Sequence, residues 1–401
     1  MSAFTSTRDV EATIRDVIEP LAKLTRRAGS ADERRAAEMI VEAFARAGAP
    51  AQVEEVPFRD GYARLLMPLA ATGLLVGLHS SRGRRRPLSA LVAGAATAAL
   101  VDDVENGRRL WRRAVARPRP TWNVVAEVGD PDADRTLAVM AHHDAAPTGR
   151  VFDPTFQRWL ARRFPGFVQR TNTGVPLWWP AAAGPGLAAL GAATGSRVLA
   201  RAAATLAALN LVLATDVARN RIVPGANDNL SGVGALVALA ERLTSESVRG
   251  LRVVLASCGA EEVLQGGVYG FVERHLQPRD PERTWLLNLD TIGSPELFML
   301  EGEGPFFMHD YTDPSFRDLV ARVAEGATGA PLRRGARARA STDSIVPSRA
   351  GYPTATLVSW EPDTKLQSNY HLPTDVPEHV RYDTVATAVT ISEAVARELA
   401  A

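Results

Sequence analysis

The chain has 401 residues, with 46 Lys plus Arg against 45 Asp plus Glu and a formal net charge of +1. That length accommodates two domains, or one large α/β domain with insertions, and the even balance gives no global signal for nucleic acid as a partner. The single cysteine, Cys258, excludes an intrachain disulfide framework.

Residues 1–10 mix acid and base without an apolar core. No secretory signal peptide is expected there, which gives a cytoplasmic or membrane-associated location as the expectation. Ile14, Val17, Ile18, Leu21 and Leu24 recur at three- and four-residue steps and predict a helix, with Pro20 placed to kink it. Ser30 followed by Glu33 reads as an N-cap and capping box opening a second helix over 31–47, which stops near Gly48. Residues 51–58 alternate roughly as a strand does.

The next stretch departs from an ordinary soluble domain. Residues 65–78 and 88–101 carry no charge and are joined by Arg82, Arg84, Arg85 and Arg86. A second apolar pair follows at 175–195 and 198–215, interrupted by Arg201. The pattern predicts two apolar helical-hairpin insertions, at 61–119 and 175–215, in a core made of 1–60, 120–174 and 216–401. The first pair falls short of the ~20 residues of a spanning helix, and the second approaches it. Two readings stand side by side: an Ala-rich cap packed on the core, or a membrane-seated pair with arginines and Trp178-Trp179 at the headgroup level. A further basic run from Arg108 to Arg119 reads as a solvated face.

Outside the insertions, strand and helix patterns alternate. Strands are expected at 123–128, 136–141, 251–257, 285–289, 296–300 and 354–359. Helices are expected at 231–243, 267–275, 314–325 and 384–400. The fold class is therefore α/β, a mostly parallel central sheet flanked by helices.

Chemistry-bearing groups stand mostly at the ends of these strands, where such a sheet presents functional side chains. The strand at 136–141 ends in His142-His143-Asp144. Residues two apart on a strand share a face, so Asp144 lies on the side of His142, placed to hold its second nitrogen, and His143 points away. Gly225-Ala226-Asn227-Asp228-Asn229-Leu230-Ser231-Gly232 is a tight turn leading into a helix, with Asp228 placed to bridge cations or, more simply, Asn229 or Ser231 serving as a helix cap. Glu261-Glu262 follow a buried strand, and two adjacent acids there are costly to hold without a cation nearby. Gly266-Gly267 turn the chain back at once. Asp290 ends another strand, and His371 lies in Tyr370-His371-Leu372-Pro373-Thr374-Asp375 before the last helix. With Asp144 in support, the set holds two imidazoles, three ligand carboxylates and one spare carboxylate, which suits two zinc ions sharing one carboxylate.

The ordered set resembles metallopeptidase family 28, the aminopeptidase Y type of di-zinc exopeptidase. The resemblance covers about 1–60, 120–150 and 222–400, and includes Arg27-Ala28-Gly29-Ser30-Ala31-Asp32-Glu33, Asn123-Val124-Val125-Ala126, the Asp228 turn, Glu261-Glu262, Asn288-Leu289-Asp290-Thr291-Ile292-Gly293 and Ser341-Thr342-Asp343-Ser344. It implies a zinc exopeptidase-like fold and two Zn2+ per chain. It assigns His142, Asp228 and Asp290 to one zinc and Asp228, Glu262 and His371 to the other. It makes Glu261 the general base and acid, Asp144 the partner of His142, and a peptide with a free N-terminus the substrate. Asp343 falls where the family has Ser-Asp-His, but Ser344 stands in the last place, so Asp343 reads as structural. The insertions are the main departure. The second starts soon after a ligand strand and is expected to emerge beside the site, with Phe152, Phe156, Trp159 and Phe164 as candidate pocket residues or as packing under a long loop. Rival readings are a glutaminyl cyclase on a similar scaffold and a non-catalytic receptor or membrane scaffold; the filled ligand positions count against the latter.

Overall fold

The computed structural model describes residues 7–401, with side chains from Val10 onward. The signal-peptide expectation for residues 1–10 falls largely outside the described residues. A nine-stranded sheet runs through the molecule. Its strands are β1 (Ala51–Arg59), β2 (Pro118–Gly129), β3 (Thr136–His142), β4 (Arg252–Cys258), β5 (Thr284–Leu289), β6 (Glu296–Glu303), β7 (His309–Asp310), β8 (Arg333–Ala338) and β9 (Thr354–Trp360). They lie in the order β1-β2-β4-β3-β5-β9-β6-β7, with β8 beside β6. The middle four, β4-β3-β5-β9, are parallel, which is the arrangement the strand–helix alternation predicts. Antiparallel pairs extend both sides, β1 with β2 and β2 with β4 at one, β6 with β9 and β7 at the other, so the sheet as a whole is mixed.

The helices are α1 (Thr7–Leu21), α2 (Ala31–Arg46), α3 (Ala63–Ser80), α4 (Pro87–Val104), α5 (Leu110–Val115), α6 (Thr155–Arg163), α7 (Pro165–Arg170), α8 (Trp179–Thr194), α9 (Arg197–Arg219), α10 (Ser231–Ser245), α11 (Val268–Phe271), α12 (Pro314–Thr328), α13 (Ile345–Arg349) and α14 (Tyr382–Ala400). One sheet face is covered through Ile14, Ile40, Leu236, Val320 and Val389. The other is covered through Phe271, Leu276 and Ile345 against Met140 and Val254. Cover on both faces is why β3 is buried along its whole length and reads as a continuous apolar run. Pro20 sits in the last turn of α1, one residue before the helix ends. Ser30 caps α2 by accepting from Glu33 N at 3.1 Å. The reciprocal half of the capping box is absent. The Glu33 carboxylate takes Gly29 N at 2.6 Å and Ala260 N at 3.0 Å, which ties α2 to the loop that carries Glu261.

The two apolar hairpins close into one four-helix bundle of α3, α4, α8 and α9. Helices approach to backbone contact at glycines: a Cβ added at Gly73 would stand 2.8 Å from Pro185 N, and one at Gly191 2.8 Å from Ala200 N. Near its base, Leu66, Leu69, Leu100 and Val104 pack with Leu264 of the α/β unit. Farther out, Val76, Ala93, Ala188, Ala192 and Ala203 form a separate cluster. A buried bidentate pair fastens the base: Arg112 donates to both oxygens of Asp103 at 2.9 Å and to the carbonyl of Arg59 at 2.7 Å.

Candidate metal centre

The strand ends and turns bring His142, Asp228, Glu261, Glu262, Asp290 and His371 to the wall of one cavity of about 500 Å3. Each oxygen of Asp228 faces a different imidazole: His142 Nε2 lies 3.4 Å from Oδ1 and His371 Nε2 lies 3.2 Å from Oδ2. His371 Nε2 is also 3.2 Å from Glu262 Oε2, and His142 Nε2 is 3.9 Å from Glu261 Oε2. Asp290 joins through a shared hydroxyl, Thr291 Oγ1, at 2.8 Å from its own Oδ1 and 3.3 Å from Asp228 Oδ1.

Buried hydrogen bonds hold Asp228 in place. Asp375 accepts from the backbone of Asn227 at 2.7 Å and of Asp228 at 3.1 Å. The side chain of Asn227 accepts from Gly293 N at 2.7 Å. That of Asn229 accepts from Gly232 N at 3.1 Å and Thr291 N at 3.0 Å, so Asn229 both caps α10 and ties the turn to the end of β5. The cap and the carboxylate that faces the cavity thus belong to different residues of one turn. The Asp228–Asn229 peptide is cis. Arg26, fully buried, donates to His143 O and Pro224 O at 2.7 Å each and locks the β3 end against this turn.

Asp144 does more than its spacing predicted. It approaches His142 Nδ1 at 3.5 Å, but its two oxygens accept from Glu261 N at 2.9 Å and Glu262 N at 3.1 Å. It therefore sets the backbone on which both glutamates turn. Gln265 holds Glu261 Oε1 at 2.7 Å. The loop returns through Gly266 N to Ala260 O and Gly267 N to Gly259 O, as its glycines indicate. His143 turns away to Ser257 Oγ at 2.9 Å. Phe152 and Tyr370 pack on the His371 ring, with centroids 4.3 and 4.0 Å away. Phe156, Trp159 and Phe164 do not line the cavity. They are exposed and pack on one another along α6, because the loop after β3 carries only its first aromatic into the site.

The electrostatics are those of a site short of positive charge. Burial pushes Glu261 well above the usual carboxylate range and raises Glu262 and Asp290. For His371, burial favours the neutral ring, but Glu262 and Asp228 outweigh it and lift the imidazole to about 10. His142 is raised well above its ordinary value against the same burial penalty by Asp144 and Asp228. A divalent cation among these carboxylates would offset their crowding and favour their ionised forms. Asp228 Oδ2, Glu262 Oε1 and both imidazole Nδ1 atoms are buried without a hydrogen-bond partner. Donor atoms of His142, Asp228 and Glu262 lie within 4.8 Å of one another. Imidazole nitrogens and carboxylate oxygens are zinc's ligand types, so the residues present fit the metal.

Arg26, Asp375, Gln265 and Glu33 were not singled out as part of the site from sequence. Asp375 carried a readable signal, four residues after His371 in the same polar loop. Asp343 is buried with both oxygens unpartnered and lies close enough to His142 and Asp144 to feel their charge.

The model of peptidase family M28 matches residues 211–396, a segment holding Asp228, Glu261, Glu262, Asp290 and His371. No curated protein matches the chain by sequence. Among solved structures, the fold is similar to an aminopeptidase from Aneurinibacillus sp. strain AM-1 (15% identity, 97% of this chain and 94% of that one, TM-score 0.56). It is similar to BSAP, a zinc aminopeptidase from Bacillus subtilis (14% identity, 99% and 96%, TM-score 0.57). It is also similar to a glutaminyl cyclase from Bacteroides thetaiotaomicron (12% identity, 98% and 97%, TM-score 0.55). At such identities the likeness is one of fold. The family match over 211–396, somewhat under half of the chain, and this likeness of fold both point to peptidase family M28.

Proposed function

We propose that the chain is a zinc-dependent exopeptidase, an aminopeptidase of the aminopeptidase Y type that removes residues from peptides with a free N-terminus. One observation carries the reading: the two oxygens of Asp228 face two imidazoles from distant stretches of the chain, at 3.4 and 3.2 Å. Asp228 so placed would be shared between two cations, with His142 and Asp290 as the residues that would hold one Zn2+ and Glu262 and His371 those that would hold the other. When bound, zinc supplies Lewis acidity, polarising a peptide carbonyl and making water a stronger acid.

The protein groups do the rest. Glu261 is adjacent to Glu262 but turned to the His142 side, fixed by Gln265. It accepts a proton from the attacking water and returns it to the leaving amine. Burial disfavours its ionised form, so Glu261 serves as a base only with positive charge close by. Asp144 keeps the two glutamates in register by gripping both backbone N–H groups. Tyr62, Leu66, Trp178 and Leu213 close the cavity with apolar surface. That cavity suits the end of a short peptide better than the middle of a folded chain.

The test is Glu261→Gln, assayed on aminoacyl arylamides and on blocked peptides with zinc content measured in parallel. The expected result is full metal content and lost hydrolysis. Near-wild-type turnover would remove Glu261 from the base role. The glutaminyl cyclase among the fold neighbours motivates a second substrate arm. Cyclisation of N-terminal glutamine without arylamide hydrolysis would reassign the site to acyl transfer, and metal-free protein without either activity would make it a binding module.

A further inference from the structure

Water-soluble helical bundles keep large apolar side chains inside and polar ones outside. The bundle of α3, α4, α8 and α9 reverses the sizes. Beyond its leucine-packed base its contact lines are mostly glycine and alanine: a Cβ on Gly77 would lie 2.9 Å from Ala200 O and Ala204 N, and one on Gly184 3.3 Å from the Cα of Ala207. Its outward faces carry leucine and valine, with Leu75 67%, Leu88 74%, Leu91 72% and Val198 77% exposed. Small residues at the contacts and large apolar residues outward is how helices pack in lipid. There the hydrophobic effect does not drive helices together, and close backbone approach does.

Length and charge point the same way. α3, α4 and α9, of 18, 18 and 23 residues, are each long and apolar enough to cross a membrane. At 1.5 Å per residue that is roughly 27 to 35 Å, against about 30 Å of hydrocarbon. α8 is shorter, but no charged residue occurs from 172 to 196 around it. No Asp or Glu occurs from 61 to 101 or from 172 to 215. Arginines gather at the free end, with Arg82, Arg84 and Arg85 exposed in the α3–α4 turn. Arg197 joins them, its side chain against Gly83 where α8 turns into α9. At the other end Tyr62 packs edge-on against Trp178, beside Trp179, where the bundle meets the α/β unit. Arginines and amphipathic aromatics are the residues that settle at headgroup layers.

We propose that the bundle crosses a lipid bilayer as two hairpins, its arginine turns in an anionic headgroup layer on the far side and the metal cavity opening at the near surface. The proposal does not depend on what the metal centre catalyses.

The test uses the full chain, with a C-terminal epitope, in membranes of the expressing cells. The chain is expected in the pellet after an alkaline carbonate wash. In sealed vesicles that leave the epitope open to added protease, trypsin should not cut at Arg82–Arg86, and detergent should open those bonds. In vesicles of the opposite orientation, the same bonds should be cut while the epitope is protected. Three results overturn the proposal: recovery as a soluble monomer or oligomer, release by carbonate, or cutting at Arg82–Arg86 in the same intact vesicles that expose the C-terminus.

Discussion

Around Asp228, carboxylates, imidazoles and a buried arginine are packed together, and the backbone N–H groups of Asn227, Asp228 and Gly232 are each tied to a named side chain. A few residues away across the same cavity, α3 and α9 meet through glycine and alanine, with no acidic side chain from 61 to 101 or from 172 to 215. The first region is specified by polar satisfaction: remove one partner and a buried charge is left alone. The second is specified by steric closeness: enlarge one residue and two helices must part. The contrast separates residues whose loss changes chemistry from residues whose loss changes seating.

The comparison is broken most strongly at Glu261. Glu261→Gln should lower turnover by roughly 10^2 to 10^4, the span of a lost general base, without lowering zinc content. Steady-state hydrolysis with metal analysis checks both halves. A smaller effect is expected one layer out. Asp375→Asn weakens the grip on the Asp228 turn without touching the cavity and should cost about 10- to 100-fold in metal affinity or activity. Competition against a calibrated chelator measures it, and unchanged affinity would make Asp375 a bystander.

In the bundle the expected ranking inverts the usual one. Gly77→Leu, at a buried helix contact, should destabilise by about 1–3 kcal/mol. Leu75→Gln, two positions away on the outward face, should stay within about 0.5 kcal/mol. Thermal unfolding of both variants in detergent sharpens the inside-small, outside-large contrast, and equal losses would erase it. A pH dependence is expected in the α/β unit. Burial holds the Glu303 carboxyl up at about 8, above its ordinary 4.5. The neutral form is therefore the stabilising one, fully effective below pH 4.5 and lost as pH rises through about 8. Glu303→Gln should flatten the fall in Tm between about pH 5 and about pH 9 relative to wild type. Parallel Tm curves would show that Glu303 does not titrate in that window.

Much of both regions was legible in the sequence, for different reasons. The parallel heart of the sheet announces itself because strands covered on both faces must be apolar throughout, as at 136–141. The candidate ligands stand out as a set because His142, Asp228, Glu262 and Asp290 all fall at strand ends and turns. What escaped is what depends on partners remote in sequence. Glu33 looked like the second half of a capping box, but Thr121 and Ala260, brought up by β2 and the Glu261 loop, offered its carboxylate better partners. Asp144 could be placed beside His142 by strand periodicity, whereas its grip on the backbone of Glu261 and Glu262 needs the β3–β4 pairing. The strand β8 escaped because a partly exposed strand rich in arginine carries no apolar alternation, and β7 because two exposed polar residues carry no pattern at all. The two hairpins were visible as apolar runs, but their closure into one bundle rests on glycine contacts that no local pattern reveals.

The proposed site has two cations sharing Asp228. Chain stripped of metal, reloaded with zinc and freed of excess should be assayed for bound zinc per chain beside an Asp228→Asn variant that melts as wild type does. Two zinc ions in the wild-type chain, falling together with hydrolysis in the variant, is the predicted result. Undiminished zinc and turnover in the variant, or a wild-type chain that binds none, would contradict it.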